Sequence, residues 1–197
     1  MTRRAVVASL ALLLVGCATL QQIAALSRVA FGLGKVLNGR IAGVPLSRFT
    51  NYRDLTVVDV GRITVAYARA DLPLEFDLNV EARNPAENRT TATMARLAWT
   101  LLLDNTATIS GTLDSSVTLP AGQTVNIPLR MRVNLREFFD GPAESLFNLA
   151  AGVAGLRADP TRITLRATPT IDTPIGPMTY PAPITIGNAT LGGSGTR

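Results

Sequence analysis

The chain has 197 residues, of which 47% are hydrophobic and 17% charged, with one cysteine and no histidine. The lack of histidine excludes Ser-His-Asp and Cys-His nucleophile pairs, and it leaves a zinc site only carboxylates and one thiol. A single cysteine cannot form an internal disulfide, so the fold depends on a packed core, which a chain of this length can form. We therefore expect one well-packed domain that is not an enzyme and uses no metal or cofactor.

The net charge is +5, but the basic residues are scattered along the sequence. The densest groups are Arg3 with Arg4 and the alternating Arg130, Arg132 and Arg136. Nucleic-acid-binding proteins present a clustered basic stripe, interleaved with aromatic residues where they bind single strands. The sequence contains no such stripe, so we expect no nucleic-acid partner.

The N-terminus has the pattern of a secretory signal peptide. Residues 1–4 contain two arginines and form a basic n-region, and residues 5–15 form an uninterrupted run of small and apolar residues that is too short to span a bilayer. A small residue, Gly16, follows this run and precedes the single cysteine, Cys17.

Leu14, Val15, Gly16 and Cys17 resemble the lipobox of bacterial lipoproteins, in which the cysteine is acylated and the signal peptide is cleaved before it. The resemblance implies cleavage between Gly16 and Cys17 and a stable membrane anchor, because three acyl chains exceed the two signals that anchoring requires. Ala18 stands where lipoproteins retained in the inner membrane commonly carry aspartate, which points to the outer membrane. The alternative is an ordinary signal peptide or short anchor with an incidental cysteine.

These patterns divide the chain into four parts. We assign residues 1–16 to a signal peptide, 17–28 to a lipidated tether, 29–190 to the folded domain and 191–197 to a disordered, glycine-rich tail. Removal of the signal peptide lowers the net charge from +5 to +3, so the net charge of the remaining chain gives little information about binding partners.

The first elements of the domain are a strand and an ambiguous segment. Residues 29–46 have β-forming composition broken by glycines, which predicts one long, bent strand. Residues 59–67 fit both helical spacing and strand alternation, and we favour a helix capped by Asp59.

Residues 74–83 alternate strictly between apolar and polar side chains, which predicts a half-buried strand. Its polar face carries three carboxylates, Glu75, Asp77 and Glu81. Paired carboxylates serve in glycosidases and in calcium sites, but no other segment supplies converging ligands, so a solvated face is favoured. Three arginines are expected to pair with these acids across neighbouring strands, namely Arg83, Arg130 and Arg132.

This strand ends at Asn84 and Pro85, where we expect a turn with the Asn84 amide bonded to nearby backbone. Residues 97–103 and 108–113 follow as a hairpin joined by an Asp-Asn turn. Trp99, the only tryptophan of the chain, is predicted to anchor the core between two sheets rather than to stack on a ligand.

The remaining segments complete a β-rich pattern. Residues 125–135 alternate and contain Pro128, which indicates an edge strand or a bulge. Residues 137–156 have apolar positions every three or four residues and predict an amphipathic helix, and two more strands are expected over 163–167 and 178–186. The whole pattern predicts a mainly β protein, an antiparallel β-sandwich with one or two covering helices.

The order of these motifs resembles the late embryogenesis abundant (LEA) type 2 family, also called the water stress and hypersensitive response domain, and in particular its bacterial lipoprotein branch. The positions that carry the resemblance are Asn84, Pro85, Trp99, Gly111, Gly122, Pro174 and Gly176. It covers residues 29–187 and implies an immunoglobulin-like or fibronectin III-like sandwich without catalytic residues or cofactors.

The resemblance also implies a role in protecting proteins or membranes during drying, freezing or other stress. We expect a monomeric lipoprotein of the cell envelope that acts through weak contacts with proteins or lipid. The alternatives are an adaptor that binds an envelope protein through an exposed strand edge, and a carrier of an apolar ligand such as a lipid.

Overall fold

The computed structural model describes residues 24–49, 51–156, 161–173 and 176–190. The predicted signal peptide over 1–16, the lipidation position Cys17 and the predicted tail over 191–197 lie outside the described residues.

Most of the described chain is β-strand. The strands are β1 (Ala30–Ile41), β2 (Val44–Pro45), β3 (Pro73–Arg83), β4 (Ala92–Met94), β5 (Arg96–Leu103), β6 (Thr106–Leu113), β7 (Val117–Leu119), β8 (Thr124–Asn134), β9 (Arg162–Thr173), β10 (Gly176–Thr179) and β11 (Ile184–Thr190). The helices are α1 (Val57–Ala68), α2 (Leu135–Phe138) and α3 (Ala143–Val153), with short 3-10 turns at Leu46–Arg48, Tyr52–Asp54 and Ala86–Asn88. Residues 24–27 form one further helical turn.

Two antiparallel sheets make up the body of the fold. The first has the strand order β2-β1-β3-β8 and the second the order β10-β9-β5-β6, with β11 also paired to β9. A separate pair, β4 with β7, lies beside them. The predicted mainly β architecture with an antiparallel sandwich is confirmed.

Strand alternation explains why the two sheets face each other. In β3 every second residue is buried, and the intervening residues are polar and more exposed. The same alternation in β8 places four apolar side chains in the core: Ile127, Leu129, Met131 and Val133. Strand β9 of the second sheet contributes Ile163, Leu165 and Ala167, each fully buried. Each large aliphatic side chain buried in this way stabilises the fold by about 2 kcal/mol.

Pro128 lies in the outermost strand of the first sheet, β8, as its missing N–H donor predicts. The hairpin of β5 and β6 is also confirmed, and its turn residues Asp104 and Asn105 both have positive φ (46° and 67°). Two left-handed residues match the twist of a two-residue hairpin loop.

The prediction of one bent strand over residues 29–46 is wrong at its end. The chain reverses at Ala42 and Gly43, which have φ of 49° and 76°, and β2 pairs back on β1 with Ile41 opposite Val44. The left-handed conformation of an alanine is unusual, so Gly43 was the signal in the sequence that could have predicted this turn.

The helix that was favoured over residues 59–67 is confirmed as α1, but its predicted cap is wrong. Thr56 is the N-cap residue, and its hydroxyl accepts a hydrogen bond from the Asp59 amide at 3.2 Å. The same hydroxyl donates to the Asp59 carboxylate at 2.6 Å, so Asp59 lies in the first helical turn.

The single helix predicted over residues 137–156 is interrupted. A short helix, α2, begins at Leu135 directly after β8, and α3 begins only at Ala143. Gly141 (φ 142°) and Pro142 separate them, because proline lacks an N–H and disfavours a helical residue before it.

The C-terminal strands also differ from the expectation. Strand β9 extends well beyond the predicted residues 163–167, and the last predicted strand over 178–186 is two strands, β10 and β11. Both pair with β9, on successive stretches of its length.

The folded domain begins inside the segment that was assigned to the tether. Ala25 and Leu26 are each 2% exposed and belong to the hydrophobic core, as does Val29.

Candidate functional site

The outer surface of the first sheet carries most of the charged side chains that the sequence singled out. We call it the polar face: Arg40 of β1, Glu75, Asp77 and Glu81 of β3, and Arg130 and Arg132 of β8. The central strand is therefore acidic and both flanking strands are basic. This arrangement follows from strand alternation, because the residues between these charged positions point to the opposite side of the sheet and form the core.

Strand register decides which of the charged side chains meet. Glu75 lies opposite Arg132, and their side chains form an ion pair at 3.4 Å. Arg132 also approaches Asp71 at 3.6 Å. Asp77 lies opposite Arg130, and its carboxylate accepts a hydrogen bond from the Asn38 side chain at 2.6 Å.

The polar face suits weak and hydrated contacts better than catalysis. The side chains of the Glu75–Arg132 pair are 49% and 60% exposed, and ion pairs so open to solvent contribute about 0 to 1 kcal/mol. An open groove of about 390 Å³ crosses the face between Asn38, Arg40 and Arg130. Among the described residues, no three His, Cys, Asp or Glu side chains converge as a metal-ligand set.

Asn84 is at the centre of a second group of residues that the sequence singled out. Its side chain is fully buried, and its amide nitrogen donates to the carbonyls of Thr90 at 3.0 Å and Leu119 at 2.7 Å. Its backbone carbonyl accepts a hydrogen bond from Gly122, whose φ of 76° favours glycine. The prediction that the Asn84 amide bonds nearby backbone is confirmed, and Leu119 adds a partner from a distant segment.

Asn88 is a residue whose role sequence reasoning missed. Its amide donates both to the Asn84 side-chain oxygen at 2.7 Å and to the Ala25 carbonyl at 2.8 Å. The two asparagines thereby fix the start of the described chain to the sandwich. The sequence around Asn88 shows only an Asn-Arg-Thr triplet, which matches a glycosylation pattern and gives no sign of this contact.

Trp99 and Gly111 lie opposite each other in the β5–β6 pair. The indole ring covers Gly111 so closely that an added methyl group there would overlap it. Trp99 packs against the core but is only partly buried. Its predicted place at the core is therefore confirmed in part, since its ring occupies the space that the glycine leaves.

The other sequence-predicted positions fall at turns or outside the described residues. Pro85 precedes the 3-10 turn that ends β3, and Gly176 (φ 116°) begins β10 opposite Thr173. Gly16, Cys17 and Pro174 lie outside the described residues.

An apolar cleft of about 180 Å³ lies beside the start of the described chain. Its lining includes Leu26, Phe31, Tyr180, Ile184 and Ile186. Burial raises the pKa of the Tyr180 phenol above its ordinary value, and the nearby Ser27 side chain partly offsets this effect.

None of the helices within the described ranges has the length and apolar character needed to cross a bilayer.

Comparisons with known proteins find no matching family model and no matching curated protein. The solved structures that are similar to the chain include the following two. A protein from Archaeoglobus fulgidus is 14% identical, with a TM-score of 0.33, and the alignment covers 57% of this chain and 80% of that one. A proposed late embryogenesis abundant (LEA) protein, known by its solution structure, is 15% identical with a TM-score of 0.36, and the alignment covers 95% and 87% of the two chains. Similarity at this level assigns neither a family nor an activity to the chain.

Proposed function

We propose that this chain is a non-enzymatic lipoprotein of the LEA type 2 kind, held in the bacterial cell envelope by lipid on Cys17, that protects neighbouring proteins or membranes during water stress. The observation that carries the proposal is the sequence from Leu14 to Cys17, which combines a lipobox with the single cysteine of the chain. The ordered motifs of the sandwich support the family assignment. Ala18, in the position after the cysteine, supports residence in the outer membrane.

The start of the described chain fits an anchored domain. Ala25 and Leu26 are buried, and Asn88 holds the Ala25 carbonyl, so the sandwich begins close behind the proposed anchor. Six residues, 18–23, separate Cys17 from the helical turn over 24–27, and the seven backbone steps from Cys17 to Ala24 reach about 25 Å when extended. An acylated Cys17 therefore keeps the domain near the membrane surface.

The polar face supplies a physical mechanism for protection. Its acidic and basic side chains alternate across three strands and remain hydrated, so they form weak contacts with many surfaces rather than one tight complex. A folded, hydrated surface of this kind keeps neighbouring proteins apart as water is lost.

Drying a test enzyme with the full chain measures protection directly. We expect more activity to survive with the wild-type chain than with an equal mass of albumin. Equal survival with the two proteins would contradict the proposed role.

Two double variants separate the polar face from the sandwich as such. Glu75→Ala with Asp77→Ala removes two acids of the polar face and is expected to lower survival toward the albumin value. Thr100→Ala with Thr112→Ala changes exposed or half-buried residues of the second sheet and is expected to preserve protection. Equal loss in both variants would show that the polar face has no special part.

A second candidate function is an adaptor, favoured by one observation on β6. This strand is the last of its sheet, and its eight residues include no charged residue and no proline. Charges and proline are the usual devices that prevent pairing at a free edge, and β8 carries both at the edge of the other sheet. A stoichiometric envelope protein that co-purifies with the wild-type chain, but not with Thr112→Lys, would favour the adaptor.

The carrier alternative has less support. The apolar cleft of about 180 Å³ is smaller than the roughly 300 to 1,000 Å³ of most ligand pockets. Lipid that remains bound in native mass spectrometry would restore this alternative.

A further inference from the structure

Helix α1 exposes an apolar stripe to solvent. Val57 is 90% exposed, Val58 65% and Val65 49%, and these are three of the five most exposed large apolar side chains among the described residues. Gly61 lies between them on the same exposed side, while Asp59 and Ile63 face the domain. The spacing of three and four residues aligns the stripe along the helix axis.

Two arginines border the stripe. Arg62 follows Val58 by four residues and Arg69 follows Val65 by four, and both side chains are exposed. The acids nearest to them in the sequence have other partners, since Asp59 is bonded to Thr56 and Asp71 approaches Arg132 at 3.6 Å. An exposed apolar stripe with adjacent positive charge therefore remains on α1.

The stripe lies at the opposite end of the sandwich from residues 24–29, the start of the described chain. Residues 24–29 precede the start of β1, where Ala30 pairs with Arg83. Helix α1 packs near the other end, where an open groove of about 500 Å³ joins Gly61 and Val65 to Ala42 and Pro73. A strand as long as β1 separates these two ends by about 35 Å.

We propose that this face of α1 docks on the surface of an anionic lipid bilayer. The valines would enter the boundary between headgroups and acyl chains, and Arg62 and Arg69 would lie among the lipid phosphates. When the chain is anchored through Cys17, the docked membrane is a second bilayer; that geometry depends on the proposed function, whereas the docking does not.

Charge complementarity favours a lipid surface over a protein partner. A bilayer with anionic lipids has a hydrocarbon layer beneath negatively charged headgroups. The hydrocarbon layer suits the valines of the stripe, and the headgroups suit the arginines beside it. Protein interfaces concentrate their binding energy in aromatic anchors, and the exposed side of α1 carries none.

The exposed positions allow variants that leave the fold intact. Val57 and Val58 have little buried area to lose, so Val57→Ser with Val58→Ser costs little stability. Arg62→Ala with Arg69→Ala removes the charges alone. Leu37→Ser with Met178→Ser and Arg162→Ala with Arg166→Ala are the controls, because they change exposed residues of the same types or of similar size on other surfaces.

The test mixes the full chain with two kinds of vesicle. Dense donor vesicles of phosphatidylcholine take up the anchored chain, and light acceptor vesicles contain phosphatidylcholine and phosphatidylglycerol. Sedimentation of the donors reports the anchor, and recovery of acceptors with the protein reports docking. A chain that fails to enter the donors stays in solution and is still scored by its flotation with the acceptors.

We expect capture of anionic acceptors but not of acceptors made of phosphatidylcholine alone. Each arginine is expected to contribute about fivefold to acceptor binding, and the serine variant to lower it about tenfold or more. Both control variants should bind as the wild type does. Equal capture by the α1 variants and the wild type, no capture at all, or saturable binding of a protein through this face without binding to vesicles would overturn the proposal.

Discussion

Asn84 bonds three groups from a fully buried position, so its replacement is expected to be costly. Asn84→Ala leaves the carbonyls of Thr90 and Leu119 and the Asn88 amide without this partner. We expect a loss of about 2 to 4 kcal/mol in the free energy of unfolding, because buried polar groups left unpaired are expensive. Urea denaturation measures it, with the exposed Asn126→Ala as control; equal midpoints for the two variants would contradict this account.

Gly111 allows a close approach of the Trp99 ring. Gly111→Ala is expected to destabilise the domain by about 1 to 3 kcal/mol, because the added methyl group forces the indole to move. As the chain has one tryptophan, its fluorescence reports that movement directly. Gly32→Ala is the matched control, since an added methyl group there meets no neighbouring atom. An unchanged emission spectrum in Gly111→Ala would show that the ring does not cover this glycine.

At the scale of elements, the strands were predictable and the helices less so. A strand with one buried face must alternate, so β3, β5 and β8 could be located from their side chains alone. The break between α2 and α3 was missed because apolar spacing continues across Gly141 and Pro142. The buried position of Ala25 depends on Asn88, 63 residues away, and no local pattern predicts such a contact.

The candidate site was also predictable only in part. The acids of β3 could be placed on one exposed face, because they alternate with core residues. Their partners depend on the register between strands, which the sequence left open for Asn38 with Asp77. The exposed stripe of α1 also needed the structure, since its valines resemble core residues in the sequence.

Capping decides where α1 begins. Thr56→Ala is expected to cost about 1 kcal/mol, because it removes the acceptor of the Asp59 amide and a bond to the Asp59 carboxylate. Thermal unfolding followed by circular dichroism checks this value. Thr64→Ala, an exposed change within the same helix, should leave stability the same or slightly higher. A larger loss from Thr64→Ala than from Thr56→Ala would contradict the assigned cap.

At the scale of the whole molecule, the account joins an N-terminal anchor to a sandwich with distinct surfaces. The polar face lies on the outer side of the first sheet, and the exposed stripe of α1 lies at the end of the sandwich away from residues 24–29. An anchor at Cys17 would hold one end of the domain near a membrane and leave both surfaces accessible. The central claim is therefore the lipid on Cys17.

Intact mass and membrane fractionation of the wild-type chain beside Cys17→Ser, both expressed in a bacterial host, test that claim most directly. We expect the wild-type chain to lose residues 1–16, to gain the mass of its acyl chains and to sediment with membranes, whereas Cys17→Ser keeps its signal peptide and carries no lipid. Two chains of unmodified mass that both remain in the soluble fraction would contradict the account.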